Sequence, residues 1–316
     1  MTNSKLYFMH CISPVHIGAG QGVGIIDLPM MRERITEWPF IPGSSVKGVQ
    51  RDYYTRQMNT NPQKITQAWI DTAFGKAHDE NESNAGAVVF SDSRLFAFPV
   101  ASQYGTFAYV TCPLVIQRFL RDLSAAGLSE NHNDRNPDKY EEMLNWVNGL
   151  ISDEVQAIVT NFNKNKDSDG IIYLDEFECR SKYEKDSIFD RCMEVLSKQI
   201  FSDPLSQKMF KERVVMVSDD AFQYFVTMCC EVVTRIRMDD EKKIVKKGHL
   251  WTEEYLPVES ILYGIVWCDN LRSSSGYSEA NILRDLEGET QLQIGGNASV
   301  GKGRVRFRIP EGGGER

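Results

Sequence analysis

The sequence predicts an α+β fold in which neighbouring strands pair antiparallel. Strand-like segments stand near both ends of the chain, at 5–13 and 304–309, and a helix-rich, charged stretch at 113–198 lies between them. A hairpin pattern occurs at 235–256, where two alternating segments flank the polar run DDEKK. This order of elements predicts a β-rich body that carries a mainly helical insertion.

The N-terminal third of the chain predicts strands and helices joined by a glycine-rich loop. Residues 5–13 predict a central strand, because both of its faces are largely apolar. The loop follows at 16–24, and either Ser44 or Ser45 is placed to cap a helix that runs to about Met58. The further elements predicted here are a surface helix at 64–82 and a short strand at 87–90.

The C-terminal part predicts one amphipathic helix and several strands. Ser218 is placed to cap a helix that reaches Val233, with acidic residues in its first turn and one apolar stripe. The strand at 304–309 alternates three arginines with three apolar residues, which predicts a basic face. The other strands predicted are those of the hairpin and two more, at 258–269 and 292–294.

Composition limits the function classes. The chain has 316 residues, 41% of them hydrophobic, which is enough to bury a large core. No apolar run is long enough to cross a bilayer and the N-terminus lacks the features of a signal peptide, so we expect a cytoplasmic protein. Seven cysteines without a CxxC pair favour reduced, buried thiols. The net charge of −8 means that any nucleic-acid binding must depend on a local basic surface.

Three short motifs suggest other functions and fail on their details. The glycine loop lacks the third glycine of a dinucleotide fingerprint, because Val23 stands there. The segment at 296–303 nearly matches a phosphate-binding P-loop but has Gly303 where a serine or threonine would bind Mg²⁺. Residues 165–176 have the spacing of a calcium loop, yet they also fit a polar turn before a strand, which we favour.

Residues 16–51 form the most informative stretch. Glycines in the loop let another chain approach the backbone closely, because no Cβ intervenes. The run IPGSSVKGVQRD then places hydroxyl groups, helix-start amides and two cations together. Lys47 and Arg51 are four residues apart and therefore share one helix face. A nucleic-acid backbone that crosses this helix would meet all of these groups; a solvated helix face is the alternative.

Several motifs in order resemble the RAMP superfamily of CRISPR proteins. HIGAGQGVGIIDLPMMRE and FIPGSSVKGVQRDYY resemble its N-terminal signature, and the version with Asp-Leu-Pro is similar to the backbone subunit of type III-B effector complexes. Further resemblances are GAVVFSDSRLFAFPV at 86–100, GTFAYVTCPLVIQRFLRDL at 105–123, RIRMDDEKKIVKKGHLWTEEYLP at 235–257 and LQIGGNASVGKGRVRF at 292–307. The sequence departs from the family at about 124–200.

The resemblance implies an architecture and a function. The core would be an RRM-like (ferredoxin-like) palm at 1–112 and 201–316, with a mainly helical insertion at 113–200 and a protruding hairpin thumb at 235–257. Copies would stack in a filament along a guide (CRISPR) RNA, together with other subunits of the effector complex. Complementary target RNA would pair with the guide, and each copy would cut it where a thumb interrupts the duplex, in a metal-dependent manner.

The resemblance also implies the site residues. Asp27 would be catalytic and would hold a divalent metal, expected to be Mg²⁺, or take the 2′ proton; an aspartate that closes a turn is the alternative. His16 would contact the phosphate or relay a proton, unless it is structural. Glu254 and Tyr255 would complete the site of a neighbouring copy; a solvated glutamate and a packed aromatic are the alternatives. The residues expected to bind RNA are Gly43, Ser44, Ser45, Lys47, Arg51, Arg235, Arg237, Gly295, Gly296, Gly301 and Lys302.

Two other functions remain open at the level of sequence. A non-catalytic scaffold of the same fold would coat the guide without cutting the target. A guide-processing endoribonuclease would cut repeat RNA at a single site and would act alone.

Overall fold

The described part of the chain alternates short strands and helices around one large sheet. The structure is a computed structural model that describes residues 4–20, 25–60, 65–76, 84–128, 137–239, 241, 243–269, 271 and 276–311. The strands are β1 (Ser4–Cys11), β2 (Phe40–Ile41), β3 (Gly75–Lys76), β4 (Asn84–Ala85), β5 (Val88–Phe90), β6 (Ser93–Ser102), β7 (Thr106–Thr111), β8 (Ala157–Val159), β9 (Ile171–Leu174), β10 (Phe177–Lys182), β11 (Val214–Val217), β12 (Glu231–Met238), β13 (Val245–Tyr255), β14 (Ile261–Cys268), β15 (Gly288–Gln293) and β16 (Arg304–Ile309). The helices are α1 (Gly43–Thr60), α2 (Gln67–Phe74), α3 (Pro113–Ala125), α4 (Pro137–Asn148), α5 (Ile188–Ile200), α6 (Pro204–Lys211), α7 (Asp219–Met228) and α8 (Glu279–Asp285).

Strands from the two ends of the chain lie side by side in the middle of the sheet. Strand β1 pairs antiparallel with β14 on one side and with β16 on the other. Its side chains are buried along almost its whole length, because neighbours cover both of its faces. The prediction of a central strand at this position is therefore confirmed.

One part of the sheet closes on itself. Among the described residues, the strands β6, β7, β11, β8, β10 and β9 follow one another, and β9 returns to β6 through Ser102 and Leu174. The pairs β7–β11 and β8–β10 are parallel, so the prediction of antiparallel pairing is wrong for these two. Parallel neighbours need a long crossover connection, and the segment between β7 and β11 supplies one.

The stretch predicted to be mainly helical contains strands as well. It contributes α3, α4 and α5, and it also contributes β8, β9 and β10 to the closed part of the sheet. The core of this region is aromatic: Phe119 of α3 lies with its ring centroid 5.4 Å from that of Phe96 and 5.1 Å from that of Tyr263. Burying side chains of this size stabilises the fold by about 1.5–3 kcal/mol each.

The start of α1 differs from its prediction. The helix begins at Gly43, so Ser44 and Ser45 lie inside its first turn and the prediction that either caps it is wrong. Asp92 from a neighbouring segment takes that place, because its Oδ1 accepts the amide hydrogen of Gly43 at 2.9 Å. A Cβ at Gly43 would lie 2.1 Å from the carbonyl oxygen of Phe90, so only glycine lets the helix start so close to β5.

Helix α2 is shorter than its prediction. Thr66 caps it by accepting the amide hydrogen of Trp69, and the chain leaves the helix at Gly75, where φ is +98°. Residues 75–76 are a strand, so the predicted helix over 64–82 is wrong there, and its last part lies outside the described residues.

Helix α7 leads directly into the hairpin. Its predicted cap is confirmed, since the Ser218 hydroxyl accepts the amide hydrogen of Ala221 at 3.2 Å. Its predicted extension to Val233 is wrong, because strand β12 already begins at Glu231. Strands β12 and β13 form the predicted hairpin, which is a separate two-stranded sheet.

Residues 165–176 form a turn and a strand. The Asp167 carboxylate accepts the amide hydrogens of Asp169 and Ile171 at 2.9 and 2.8 Å, and β9 begins at Ile171. Asn165 is buried, and its amide group donates to two backbone carbonyls. The preferred interpretation of this segment as a polar turn before a strand is therefore confirmed. Within the described residues no helix is both long and apolar enough to span a membrane.

One arginine of the basic face predicted for β16 is neutralised by carboxylates. The Arg306 guanidinium lies 2.9 Å from carboxylate oxygens of both Asp203 and Glu289. Arg308 donates to the carbonyl of Gln199 at 3.1 Å. The alternation itself is confirmed, but Asp203, which caps α6, and Glu289 of β15 cancel part of the expected basic surface.

Candidate active site and nucleic-acid interface

The base of the hairpin brings together segments from three distant parts of the chain. Leu28 forms a parallel bridge with Glu253 of β13, and Met30 forms an antiparallel bridge with Gly18. Consequently β12, β13, residues 28–30 and the segment around Gly18 lie side by side. The first part of the glycine loop belongs to this layer, whereas residues 21–24 lie outside the described residues.

Asp27 lies at the exposed edge of this layer, and within the described part of the chain its carboxylate accepts hydrogen bonds from Thr252 alone. Its Oδ2 accepts the amide hydrogen of Thr252 at 2.8 Å and the Thr252 hydroxyl hydrogen at 3.0 Å. These bonds, led by the one from the Thr252 amide, hold the pKa of the Asp27 carboxyl below its ordinary value. The side chain is therefore an ionised carboxylate with its Oδ1 outside these bonds.

His16 is oriented by the hairpin. Its Nδ1 lies 2.7 Å from the carbonyl oxygen of Glu254, and a carbonyl only accepts, so Nδ1 carries the hydrogen. In the neutral ring Nε2 is then the acceptor. Nε2 faces Gly18, where a Cβ would lie only 3.0 Å away. This glycine therefore keeps the basic nitrogen of His16 uncovered by a side chain.

A buried carboxylate that the sequence prediction missed lies beside His16. Glu253 accepts hydrogen bonds from the Tyr255 hydroxyl, from the Trp251 indole at 2.8 Å and from the Asn297 amide at 3.0 Å. The Arg235 Nε lies 3.6 Å from the same carboxylate. Burial opposes ionisation, but these bonds and nearby positive charge outweigh it and lower the pKa of Glu253. Glu253 thus joins both hairpin strands to the C-terminal loop.

Tyr255 is packed against His16 rather than exposed. Its ring centroid lies 5.6 Å from that of His16, and its hydroxyl is held by Glu253 and by Asn297 at 2.9 Å. Burial, with the adjacent Glu253 carboxylate, raises the pKa of Tyr255 to about 12. The phenol therefore stays protonated at neutral pH and acts as a hydrogen-bond donor.

Glu254 points to the opposite face of β13 and is also buried. Its Oε1 accepts from the Arg32 guanidinium at 2.6 Å, and its Oε2 accepts the amide hydrogen of Met30 at 3.1 Å. The prediction grouped Glu254 with Tyr255, but the period-two alternation of a strand places Glu253, not Glu254, on the face of Tyr255. Both oxygens of Glu254 are engaged within the chain, which is the geometry of a residue that positions others.

The C-terminal glycine loop completes this region. Gly295 has a φ of +77°, and a Cβ there would lie 2.2 Å from the His16 carbonyl oxygen. The amide of Gly296 donates to that same oxygen at 2.9 Å. Lys302 lies with its Nζ 4.7 Å from the centre of the Tyr255 ring, a cation–π contact. The structure therefore brings Gly295, Gly296 and Lys302 next to His16 and Tyr255; Gly301 lies in the same loop with a φ of +79°.

The predicted RNA-binding residues of α1 are arranged less simply. Ser44 is exposed and Ser45 is half-buried. Lys47 donates to the Val88 carbonyl at 2.7 Å, and burial, with the nearby Arg51, lowers the pKa of its ammonium. The Arg51 carbonyl accepts from the Thr55 hydroxyl at 2.8 Å, but its guanidinium makes no hydrogen bond or ion pair with any described residue and is the available cation on this face.

The hairpin cations also differ from each other. Arg235 is paired with Glu253, as described above, whereas Arg237 is exposed. On the hairpin face opposite Arg235, the apolar residues Val232, Ile236 and Leu250 are each about half exposed or more. Lys242 and the side chain of Lys247 lie outside the described residues.

Asp27 and His16 do not touch each other. Asp27 is bound to Thr252 and His16 to Glu254, two residues further along β13, so about 7 Å of strand separates their anchor points. Among the described residues, no group of three or more histidine, cysteine, aspartate or glutamate side chains is placed to hold a metal ion. Mg²⁺ commonly binds one exposed carboxylate together with water and phosphate oxygens, so the exposed Asp27 side chain fits such an ion.

This region combines a projecting hairpin, an exposed carboxylate at its base, neighbouring glycine loops and surface cations. These features suit a protein that works on an extended polyanion. The sequence pattern of the RAMP superfamily matches residues 8–306, and the chain belongs to this superfamily, as its motifs indicated.

The relatives are similar over nearly the whole chain. The chain is 30% identical over 306 residues to the CRISPR system Cmr endoribonuclease Cmr4 of Pyrococcus furiosus. This alignment covers 96% of this chain and 94% of that protein. It is 24% identical over 313 residues to the CRISPR system CMR subunit Cmr4 of Saccharolobus solfataricus, with 96% of each chain covered. The crystal structure of oligomeric Cmr4 from Pyrococcus furiosus matches with a TM-score of 0.70 and 26% identity, covering 98% of this chain and 99% of that one.

Proposed function

We propose that this chain is a backbone subunit of a type III-B CRISPR effector complex that binds guide RNA and cuts complementary target RNA. The observation that carries the proposal is the exposed Asp27 carboxylate, held by Thr252 at the base of the projecting hairpin. The likeness to a relative named as an endoribonuclease, over nearly the full length of both chains, supports the reaction class.

The strand order supports an RRM-like (ferredoxin-like) palm. Strands β16, β1 and β14 are neighbours, with β5 and β6 on the far side of β14, and α1 and α8 follow β1 and β14 along the chain. This is the arrangement of a βαββαβ unit. We assign the palm to 1–112 and 201–316, the insertion to 113–200 and the thumb to 235–257.

The proposed partners follow from the charge and shape of the surface. Guide RNA would lie along α1 and the C-terminal glycine loop, which offer the exposed Ser44 and the half-buried cations Arg51 and Lys302. Target RNA would meet the hairpin, whose exposed Arg237 and apolar face suit a strand inserted beside nucleobases. Further copies of the chain, and other effector subunits, would extend this surface along the guide; the oligomeric relative supports the self-association.

The chemistry proposed is attack of a ribose 2′-oxygen on the adjacent phosphorus. The bond from phosphorus to the 5′-oxygen breaks, a 2′,3′-cyclic phosphate forms, and the proton lost from the 2′-oxygen is balanced by one gained at the 5′-oxygen. Holding the 2′-oxygen in line with the leaving oxygen supplies much of the acceleration. Nε2 of the buried His16 is an acceptor that could relay a proton, and the Glu254 carbonyl and the packed Tyr255 ring would orient the His16 ring.

A divalent metal, Mg²⁺ in our proposal, would be held by Asp27. Its Oδ1 is outside the Thr252 bonds and the side chain is exposed and ionised, so the donor fits a hard cation that also binds water and phosphate. When bound, such an ion would neutralise charge on the phosphate that is cut.

The variant Asp27→Asn in the assembled, guide-loaded complex tests the proposal. Cleavage of a complementary RNA should be lost, while guide RNA and the other subunits still co-purify, because the amide keeps the shape but not the charge. Asp220→Asn, an exposed aspartate in the first turn of α7, is the matched control and should cleave as the unaltered chain does.

Each other outcome points to a different function. Unchanged cleavage by the Asp27→Asn complex would leave only a non-catalytic guide scaffold. Cutting of repeat RNA at one site by the purified chain alone would instead identify a guide-processing endoribonuclease.

A further inference from the structure

We propose that Thr252 is the positioning residue for the Asp27 carboxylate, and that its hydroxyl fixes which carboxylate oxygen faces the RNA. This inference rests on the proposed function, in which Asp27 acts at the site of cleavage. The two residues are 225 positions apart in the sequence.

The hydrogen bonds between the two residues run in both directions. The Asp27 amide donates to the Thr252 hydroxyl oxygen at 3.0 Å. A hydroxyl has a single hydrogen, and because its oxygen accepts from Asp27, that hydrogen is free to point at Oδ2, 3.0 Å away. The Thr252 amide adds a second donor to Oδ2 at 2.8 Å. Three hydrogen bonds therefore join Asp27 to Thr252 of the hairpin, and two of them end on the same carboxylate oxygen.

This arrangement makes the two carboxylate oxygens unequal. Oδ2 is occupied by two donors from Thr252, so the exposed Oδ1 is the oxygen available to a cation, a water molecule or a ribose hydroxyl. An exposed aspartate would otherwise rotate among its rotamers, and fixing one of them beforehand lowers the entropy lost when the reacting groups assemble. Both donors are neutral, so the carboxylate keeps its full charge.

The same contacts attach Asp27 to the hairpin rather than to the palm alone. Leu28, the next residue, donates to the Thr252 carbonyl and accepts from the Glu254 amide, both at 3.0 Å. A displacement of β13 would therefore carry Asp27 with it. The position of the reacting carboxylate is in this way tied to the element that is proposed to enter the RNA duplex.

The test replaces the hydroxyl while keeping the shape. Thr252→Val removes the hydrogen bond from the hydroxyl to Oδ2 and the acceptor for the Asp27 amide, but leaves the bond from the Thr252 amide. Thr252→Ser keeps all three bonds. In the assembled complex with saturating target RNA, we expect Thr252→Val to slow cleavage by about tenfold to a hundredfold, because misplacement of a reacting group by about 1 Å has effects of that size. Thr252→Ser should cleave at nearly the unaltered rate.

The split between rate and binding separates positioning from general loss of structure. Thr252→Val should lower the cleavage rate at saturating target RNA, and Thr252→Ser, which keeps the hydroxyl, should restore that rate. Thr234→Val is the matched control, since Thr234 is the exposed cross-strand neighbour of Thr252 and should not change the rate. Affinity for target RNA should be the same in all three.

The outcomes distinguish this inference from the proposed function. If Asp27→Asn abolishes cleavage but Thr252→Val keeps the cleavage rate of the unaltered complex, the positioning role is refuted and the proposed function stands. Equal slowing in Thr252→Ser and Thr252→Val would also refute it, because the hydroxyl would not be the group that matters. If Thr252→Val does not assemble, Thr252→Ala takes its place with the same expectation. Cleavage that survives Asp27→Asn refutes the proposed function itself.

Discussion

Removal of the Glu254 side chain should destabilise the protein by about 3–5 kcal/mol, as expected when one partner of a buried ion pair is deleted. Glu254 is only 5% exposed, and its carboxylate joins the hairpin to the segment that carries Asp27. Glu254→Ala would free this segment from β13 at one of its attachment points. The loss should therefore be larger than for an ordinary charged residue of a hairpin.

The contacts of Glu254 divide this loss into two parts. The Met30 amide, on a residue that is 4% exposed, would lose its acceptor, which costs about 1–3 kcal/mol for a buried donor. Arg32 would lose its carboxylate but would keep the Glu37 carbonyl at 2.6 Å. Because Arg32 keeps that acceptor and is partly exposed, the total should lie towards the lower end of the range.

Urea unfolding, followed by tryptophan fluorescence and circular dichroism, measures this loss. Glu241→Ala, in the exposed turn of the same hairpin, is the control and should lie within about 0.5 kcal/mol of the unaltered chain. Glu254→Gln should lose about 1–3 kcal/mol, because it keeps one acceptor but turns its amide hydrogens towards a donor.

Two results would contradict the reasoning. If Glu254→Ala unfolds at the same urea concentration as Glu241→Ala, the ion pair does not contribute to stability as the contacts indicate. If Glu254→Gln is as stable as the unaltered chain but its complex fails to cut target RNA, Glu254 acts on the RNA directly, as its sequence motif suggested, and does not position Asp27.

The remaining predictions concern acid stability and the C-terminal glycine loop. Burial opposes ionisation of Glu259, but the hydrogen bond and charge of His10 outweigh it and hold the pKa of Glu259 below its ordinary value of 4.5. The contribution of ionised Glu259 to the free energy of unfolding is therefore complete above about pH 4.5 and declines as the pH falls through the folded-state pKa. Glu259→Gln should be less stable than the unaltered chain at pH 7 and lose less on acidification, and equal losses in urea unfolding at pH 7 and pH 3.5 would contradict this. Gly295→Ala should lower the thermal midpoint more than Gly301→Ala, because both have a positive φ but only the Cβ at 295 meets a backbone oxygen, at 2.2 Å. Equal midpoints would show that the close approach does not constrain the loop.

Local signals in the sequence were read correctly where they act over a few residues. The apolar pattern of β1 identified a central strand, and Ser218 marked the start of α7. The hairpin and the polar turn at Asp167 also follow from neighbouring residues alone. Alternation, capping and turn chemistry are properties of a short stretch of chain, so they can be seen before the fold is known.

Long-range pairing was not predictable in the same way. Strands β8, β9 and β10 are short and lie in a charged segment. No periodicity of the sequence therefore predicted that they belong to the closed part of the sheet with β6. The cap on α1 comes from Asp92, about fifty residues beyond the helix start, and no local pattern indicates it. Glu253 is a different case, because the alternation of β13 places it on the face of Tyr255 and that signal was present in the sequence.

Charge pairing at the hairpin base explains how an acidic chain could approach RNA. Glu253 and Glu254 are buried and lie against Arg235 and Arg32, so their charges are largely balanced inside the protein. Asp27 differs, because both donors to its carboxylate are neutral and the side chain is exposed. An unbalanced carboxylate repels a phosphate backbone unless a cation lies between them. This repulsion is the physical reason for placing the proposed divalent ion at Asp27. The negative charge of Asp27 weakens simple RNA binding, but by holding the ion it would serve cleavage.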